Sequence, residues 1–257
     1  MIEIANLSKS FEGKMVLNDL SLTVKRGETK AVIGRSGVGK SVLLKSIVGL
    51  VHPDSGSIKI NGVEVMGLDE RAYNKLRMEI GMVFQGGALF DSMNVGENVA
   101  FVLNEFMRLD PRITKERVRD ALSLVGLKGV EHLMPSHLSG GMRKRVSLAR
   151  VLCMEPQIIL YDEPTSEVDP ITAAAVNHLI CEMRDKLKVT SIVVTHDMNS
   201  AYQIADSIAM FYKGSVIADG KPDEIRNTQD PVVRQFIQGL QEGPITDDER
   251  LVLVQGK

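Results

Sequence analysis

The sequence predicts an α/β fold in two lobes, and three features predict it. The chain opens with short strand-like runs; two near-continuous apolar runs later flank a helix-length segment, as in a parallel βαβ unit; and a mostly helical stretch separates these parts. The 257 residues, 44% hydrophobic and 25% charged, suit one compact domain or one domain carrying an inserted lobe.

Residues 2 to 33 hold the runs Ser21-Leu22-Thr23-Val24 and Lys30-Ala31-Val32-Ile33, set off by the turn-forming pairs Glu12-Gly13 and Arg26-Gly27. A glycine-rich loop follows, then a helix over residues 40 to 50, then Ile58-Lys59-Ile60 as a strand entering the turn Asn61-Gly62. From about 86 to 153 the pattern is mostly helical, and Val118, Ala121, Leu122 and Val125 share one face of the segment 114 to 125. Ile158-Ile159-Leu160-Tyr161 and Ser191-Ile192-Val193-Val194 have strand length, and residues 171 to 187 supply a crossover helix between them. From about 226, Pro231, Pro244 and the acidic run Asp247-Asp248-Glu249 mark a short helical extension with a mobile end. The expected division is a core of residues 1-85 and 154-225, a helical lobe over 86-153 and an extension over 226-257.

A net charge of −2 and a pI near 6.2 give no global basic surface, so no nucleic acid partner is expected. Cys153 and Cys181 lack CxxC spacing; they fit buried thiols in a reducing compartment better than a disulfide framework or a zinc site. His52, His132, His137 and His178 show no metal-ligand spacing. Met1-Ile2-Glu3-Ile4 lacks the order of a signal peptide, and no segment approaches the ~18 uncharged apolar residues of a membrane span. The protein is expected in the cytosol, with any membrane spans carried by other chains.

Gly34-Arg35-Ser36-Gly37-Val38-Gly39-Lys40-Ser41 matches G-x-x-x-x-G-K-[ST] between a strand and a helix, which is the context that motif needs. Gly34, Gly37 and Gly39, with Ser36 among them, let successive backbone N–H groups turn inward around phosphates, and the following helix adds its positive end. Lys40 suits the β- and γ-phosphates, and the Ser41 hydroxyl suits Mg²⁺. The loop alone indicates a nucleoside triphosphate. Asp162 and Glu163 follow an apolar strand at the edge where open α/β sheets bind ligands. Asp162 can serve Mg²⁺ directly behind its first shell or through water, and Glu163 can orient or deprotonate an attacking water. His196 follows Val194 by two residues and shares that edge; it can donate to a γ-phosphate, although a histidine after a strand is commonly structural.

Leu138-Ser139-Gly140-Gly141 resembles the LSGGQ signature of ABC ATPases, and the motif order is similar over residues 1 to 225. Phe11 stands at the adenine-stacking position, Gln85 at the Q-loop, Asp169 at the end of the D-loop and His196 at the switch histidine. The resemblance implies a P-loop NTPase (RecA-like) core with an antiparallel β subdomain and an inserted α-helical subdomain. It implies ATP with Mg²⁺, Glu163, His196 and Gln85 as catalytic residues, and Ser41, Gln85 and Asp162 around the metal. It also implies a head-to-tail pair, each ATP held by the phosphate loop of one copy and by Ser139, Gly140 and Gly141 of the other, with Asp169 nearby. Backbone N–H groups at the start of the helix-like run after Ser139 suit such an anion.

Met142 departs from the usual signature glutamine, and Glu167-Val168 depart from the small and leucine residues usual in the D-loop. Leu138-Ser139-Gly140-Gly141-Met142-Arg143-Lys144-Arg145 resembles the Mla-type branch, which powers lipid transport with MCE-domain proteins. So do Gly87-Ala88-Leu89-Phe90, Asn94-Val95 with Asn98-Val99, and Asp230-Pro231-Val232-Val233-Arg234-Gln235-Phe236. That likeness implies phospholipid transport between bacterial membranes at the cytoplasmic face of the inner membrane. The implied partners are a second copy, membrane permease subunits, an MCE-domain protein and a small accessory subunit. Residues 228 to 245 would strengthen the dimer, and the surface near Gln85 to Asn98 would push on the permease. A polar-solute importer remains the alternative, and an ABC ATPase acting on nucleic acid the competing class. Arg143-Lys144-Arg145 is expected to form a solvated face.

Overall fold

The structure is a computed structural model, and it describes residues 2–248. In chain order the elements are β1 (Ile2–Phe11), β2 (Lys14–Val24), β3 (Thr29–Ile33), α1 (Lys40–Ile47), β4 (Ser55–Ile60), β5 (Val63–Glu64), α2 (Glu70–Arg77) and β6 (Ile80–Val83). Helices α3 (Val95–Val102), α4 (Pro111–Leu124) and α5 (Gly140–Leu152) follow, then β7 (Ile158–Asp162), α6 (Pro170–Leu187), β8 (Thr190–Val194) and α7 (Met198–Ile204). The described chain continues with β9 (Ser207–Tyr212), β10 (Ser215–Gly220), α8 (Pro222–Arg226), α9 (Pro231–Gln238) and a helical turn over 244–248.

Two sheets organise these elements: an antiparallel one in the order β2-β1-β4-β5, and one in the order β10-β9-β3-β8-β7-β6, parallel except at the β10 edge. Alternation along β1 and β2 buries Ile2, Ile4, Leu17, Leu20 and Leu22 on one face. That face meets Leu43, Leu44 and Ile47 of α1 and Ile158, Leu160, Ile192 and Val194 of the parallel sheet in a single core. β7 and β8 are buried at every position, which explains their continuous apolar runs.

Between β6 and β7 the chain is helical in pieces. Asn94 and Glu97 form a reciprocal capping box that starts α3. The buried amide of Asn98 then pins the preceding loop: its oxygen accepts from Phe90 N at 2.8 Å, and its nitrogen donates to Phe90 O at 3.0 Å and Met93 O at 2.9 Å. In α4 the face of Thr114, Val118, Ala121 and Leu122 is buried. α5 lies in the middle, with every residue from Val146 to Leu152 buried.

The sequence reading leaves residues 63 to 85 without elements, yet β5, α2 and β6 occupy them. These are short, and α2 buries only Tyr73, so no periodic apolar signal announces it. The helix foreseen over 40 to 50 stops at Ile47, because Gly49 turns left-handed at φ +71°. Cys153 is buried, whereas Cys181 is only half-buried.

The extension packs on its own subunit. Val233 and Ile245 join Ala31, Ile33, Ile208 and Met210 in one apolar cluster. Gln235, buried beside them, accepts from Ile245 N at 2.7 Å and donates to Thr246 Oγ1 at 3.1 Å. The mobile end foreseen beyond the acidic run lies, from Glu249 on, outside the described residues.

Candidate functional site

Parallel register brings the chemistry to one edge. Val32 pairs with Val194, and Val194 with Asp162, so the chain leaves β3, β7 and β8 side by side as Gly34, Glu163 and Thr195-His196. Two cross-strand bonds fix those exits: Thr195 N to Val32 O at 3.1 Å, and Glu163 N to Val194 O at 3.0 Å. These are the carboxyl ends of the strands, where ligands bind in open α/β sheets.

The loop after β3 needs its glycines. A Cβ on Gly34, at φ +147°, would stand 2.6 Å from the Phe211 carbonyl oxygen, and one on Gly39, at φ +108°, 2.8 Å from that of Val16. Gly39 also starts α1 without a side-chain cap, so the helix presents unfilled N–H groups to the loop. Lys40, 6% exposed, donates to the carbonyls of Gly34 at 2.6 Å and Arg35 at 2.9 Å. Burial draws its pKa down, and the charges of Glu163 and Asp162 oppose that pull.

Ser41 Oγ donates to Asp162 Oδ1 at 2.8 Å across the sheet edge. Glu163 meets His196, with Nδ1 3.0 Å from Oε1 and 2.9 Å from Oε2. Its backbone is left-handed at φ +50°, a conformation that costs a non-glycine residue about 1–2 kcal/mol. Ser166 holds it there by donating its hydroxyl to Glu163 O at 2.8 Å. A cavity of about 470 Å³ opens among these groups, lined by Ser36, Gly37, Gly39, Lys40, Ser41, Gln85, Glu163 and His196. A larger hollow of about 1000 Å³ lies along α3 and α4, but no phosphate-loop residue lines it.

The donor set fits a magnesium ion. Ser41 and Asp162 offer oxygens already in contact, and Gln85 lines the same cavity. Among the described residues no cluster of three or more His, Cys, Asp or Glu side chains could cage a metal alone. Mg²⁺ needs no such cage, since it is commonly held by one or two protein groups together with phosphates and water.

Five of the foreseen residues, Phe11, Ser139, Gly140, Gly141 and Asp169, stand apart from this cavity. Phe11 ends β1, 42% exposed, with the Lys9 ammonium 5.3 Å from its ring centre. Ser139 caps α5, its hydroxyl accepting from Met142 N at 3.2 Å, so Gly140 and Gly141 form the helix's first turn. Asp169 caps α6, accepting from Ile171 N and Thr172 N, both at 3.0 Å, and from the Thr172 hydroxyl at 2.6 Å. The Thr172 hydroxyl does most to hold the Asp169 carboxyl below its usual range.

Contrary to expectation, Arg143-Lys144-Arg145 is not a solvated face. Arg143 is exposed but donates to Leu138 O at 2.8 Å, Lys144 is only 8% exposed, and Arg145 reaches Val125 O at 3.5 Å. Lys144 Nζ donates to the carbonyl of Gln85, and Arg150, two turns on, to those of Ala88 at 2.7 Å and Gly87 at 3.0 Å. The helical spacing of Lys144, Ser147 and Val151 was the available signal, since it continues the buried face back to the lysine.

A model of the family described as ABC transporter matches residues 17–166. Over 244 residues, 95% of this chain and 68% of the relative, the chain is 40% identical to the probable ribonucleotide transport ATP-binding protein mkl of Mycobacterium tuberculosis. Over 245 residues, 95% of this chain and 91% of the relative, it is 38% identical to the intermembrane phospholipid transport system ATP-binding protein MlaF of Escherichia coli. The dimeric post-hydrolysis structure of the ATP-binding cassette MJ0796, bound to ADP and Pi, superposes with a TM-score of 0.80 at 31% identity, covering 86% of this chain and 99% of that one. Fold, motif order and likeness extend together over nearly the whole chain, which therefore belongs to the ABC transporter family as an ATP-binding, ATP-hydrolysing subunit.

Proposed function

We propose that the chain drives phospholipid transport between bacterial membranes, as a head-to-tail pair bound to membrane permease subunits at the cytoplasmic face of the inner membrane. An MCE-domain protein and a small accessory subunit complete the assembly. The chemistry rests on the meeting of Lys40, Asp162, Glu163 and His196 at one sheet edge, and the cargo on the 38% identity to MlaF over 91% of its length.

In this reading the N–H groups of Gly34 to Ser41 and the Lys40 ammonium bind the β- and γ-phosphates, while Phe11 stacks on adenine. Glu163 orients the attacking water and takes its proton. His196 fixes the Glu163 carboxylate and donates to the γ-phosphate. Mg²⁺, carried in with ATP and held at Ser41, Asp162 and Gln85, would neutralise phosphate charge. Ser139, Gly140, Gly141 and Asp169 face the partner's nucleotide. Residues 1-85 and 154-225 form the nucleotide core, and 86-153 carry the signature turn and, with Gln85, the surface that pushes on the permease.

The 40% identity to a protein named for ribonucleotide transport favours a second reading, a carrier of a polar solute. Purification of the complex from membranes separates the two. Permease and MCE-domain chains with bound phospholipid are the expected result; a soluble solute-binding protein would favour the second reading, and ribosomes or DNA would overturn both.

A further inference from the structure

α5 starts in the turn Ser139–Gly141 and immediately meets three other segments. Lys144 Nζ donates to the Gln85 carbonyl and, at 3.4 Å, to Ser166 Oγ. Ser166 in turn donates to Glu163 O at 2.8 Å. On another side of the same helix start, a Cβ on Gly141 would stand 2.5 Å from the Thr172 methyl, and Thr172 is held by Asp169. One ammonium thus bridges the segments that carry Gln85 and Glu163, from a helix whose first turn is pressed against the start of α6.

Stability alone is a weak reason for a cation at this place. Taking an ammonium out of water is costly, and an apolar side chain of the same length would fill the space without that cost, though it would leave the Gln85 carbonyl without this donor. Arg150 already anchors Gly87 and Ala88, so the loop has a second fastening. Burial pulls the Lys144 pKa down, and Glu167, then Glu163 and Asp162, oppose it. The exposed Glu167, which departs from the usual D-loop, is thus the foremost of the acids that keep the ammonium charged. What a cation with several donors supplies here, and an apolar side chain does not, is simultaneous donation to a carbonyl on one segment and a hydroxyl on another.

We propose that Lys144 is a positioning residue for hydrolysis. It locks the Gln85 and Glu163–Ser166 segments of a subunit's own nucleotide to the helix whose first turn grips the partner's, so that closure at one site sets the groups of the other. The inference rests on the dimer reading above.

The test uses the full chain with MgATP and follows steady-state hydrolysis, ATP binding by titration and melting temperature for Lys144→Met, Lys144→Arg, Ser166→Ala and the Lys144→Met/Ser166→Ala pair. Lys144→Met should lower kcat at least about ten-fold while the Kd for ATP stays within about two-fold, since the phosphate loop is untouched. Lys144→Arg should recover most of that loss. Ser166→Ala should also lower kcat, and the loss in the double variant should be smaller than the product of the two single losses, because the Lys144–Ser166 contact is removed in each. A kcat within about two-fold of the unaltered chain in Lys144→Met, or losses that multiply in the double variant, would overturn the proposal. Should Lys144→Met fail to fold, Ser166→Ala decides, since it leaves the ammonium in place, and an unchanged kcat there rejects the linkage. The unaltered chain and Glu163→Gln run alongside: no hydrolysis by the first, or no ATP-dependent dimer of the second, would sink the dimer reading itself and this inference with it.

Discussion

At the scale of single residues, charge and burial set what each group can do. Lys40 is enclosed by the loop it serves, so Lys40→Ala should weaken MgATP binding about 10- to 100-fold, the worth of a lost hydrogen bond to a charged group. Near-normal binding by calorimetric titration would contradict its assignment to the phosphates. Glu163→Gln keeps the shape and removes the base; hydrolysis should fall at least about 100-fold while ATP is retained and closed dimers accumulate. Rapid turnover in that variant would reject Glu163 as the catalytic carboxylate. Cys153 is inert for a different reason: burial pushes its thiol up to about 12, so no thiolate forms near neutral pH. The folded thiol keeps its proton where an unfolded one, near 9.0, has lost it, so stability should drain away as pH climbs from that value toward 12. Iodoacetamide at pH 8 should therefore label Cys153 only after urea unfolding, as peptide mass spectrometry would show. Gly34, Lys40, Asp162 and Glu163 were legible in the sequence because strand-end chemistry is local and its spacing short. Lys144 was not, because its burial depends on what surrounds α5 rather than on its neighbours in sequence.

At the scale of elements, strong periodicity made β3, β7, β8, α4 and α6 legible, whereas β5, α2 and β6 left no pattern long enough to register. The C-terminal extension shows the same limit. Its proline-marked helix was visible, but nothing local announced that Gln235 would fasten the turn 244–248 or that Val233 and Ile245 would cover Ile208 and Met210. Gln235→Leu leaves the Ile245 N–H without its acceptor and should cost about 1–3 kcal/mol, read as a lower urea midpoint. Cutting the chain at 227 uncovers that apolar face, so the melting temperature should fall whatever happens to dimerisation. An unchanged melting temperature would contradict the packing seen here; an unchanged dimerisation constant and activity would remove the dimer-strengthening role of residues 228 to 245.

For the whole molecule, the α/β architecture was visible from the alternation of strand and helix signals, and the parallel register then explains why four distant motif residues share one edge. The proposed sharing of each site between two copies leans on where the signature turn and the D-loop end lie. Ser139 and Asp169 each cap a helix, neither lines the cavity around Lys40, and the first turn of α5 carries N–H groups suited to a phosphate from elsewhere. The most direct measurement is hydrolysis per chain as a function of protein concentration at saturating MgATP, with association followed in parallel by sedimentation. Turnover should rise with the fraction of dimer and approach zero in the monomer range; constant turnover per chain down to concentrations where only single copies sediment would contradict the shared site.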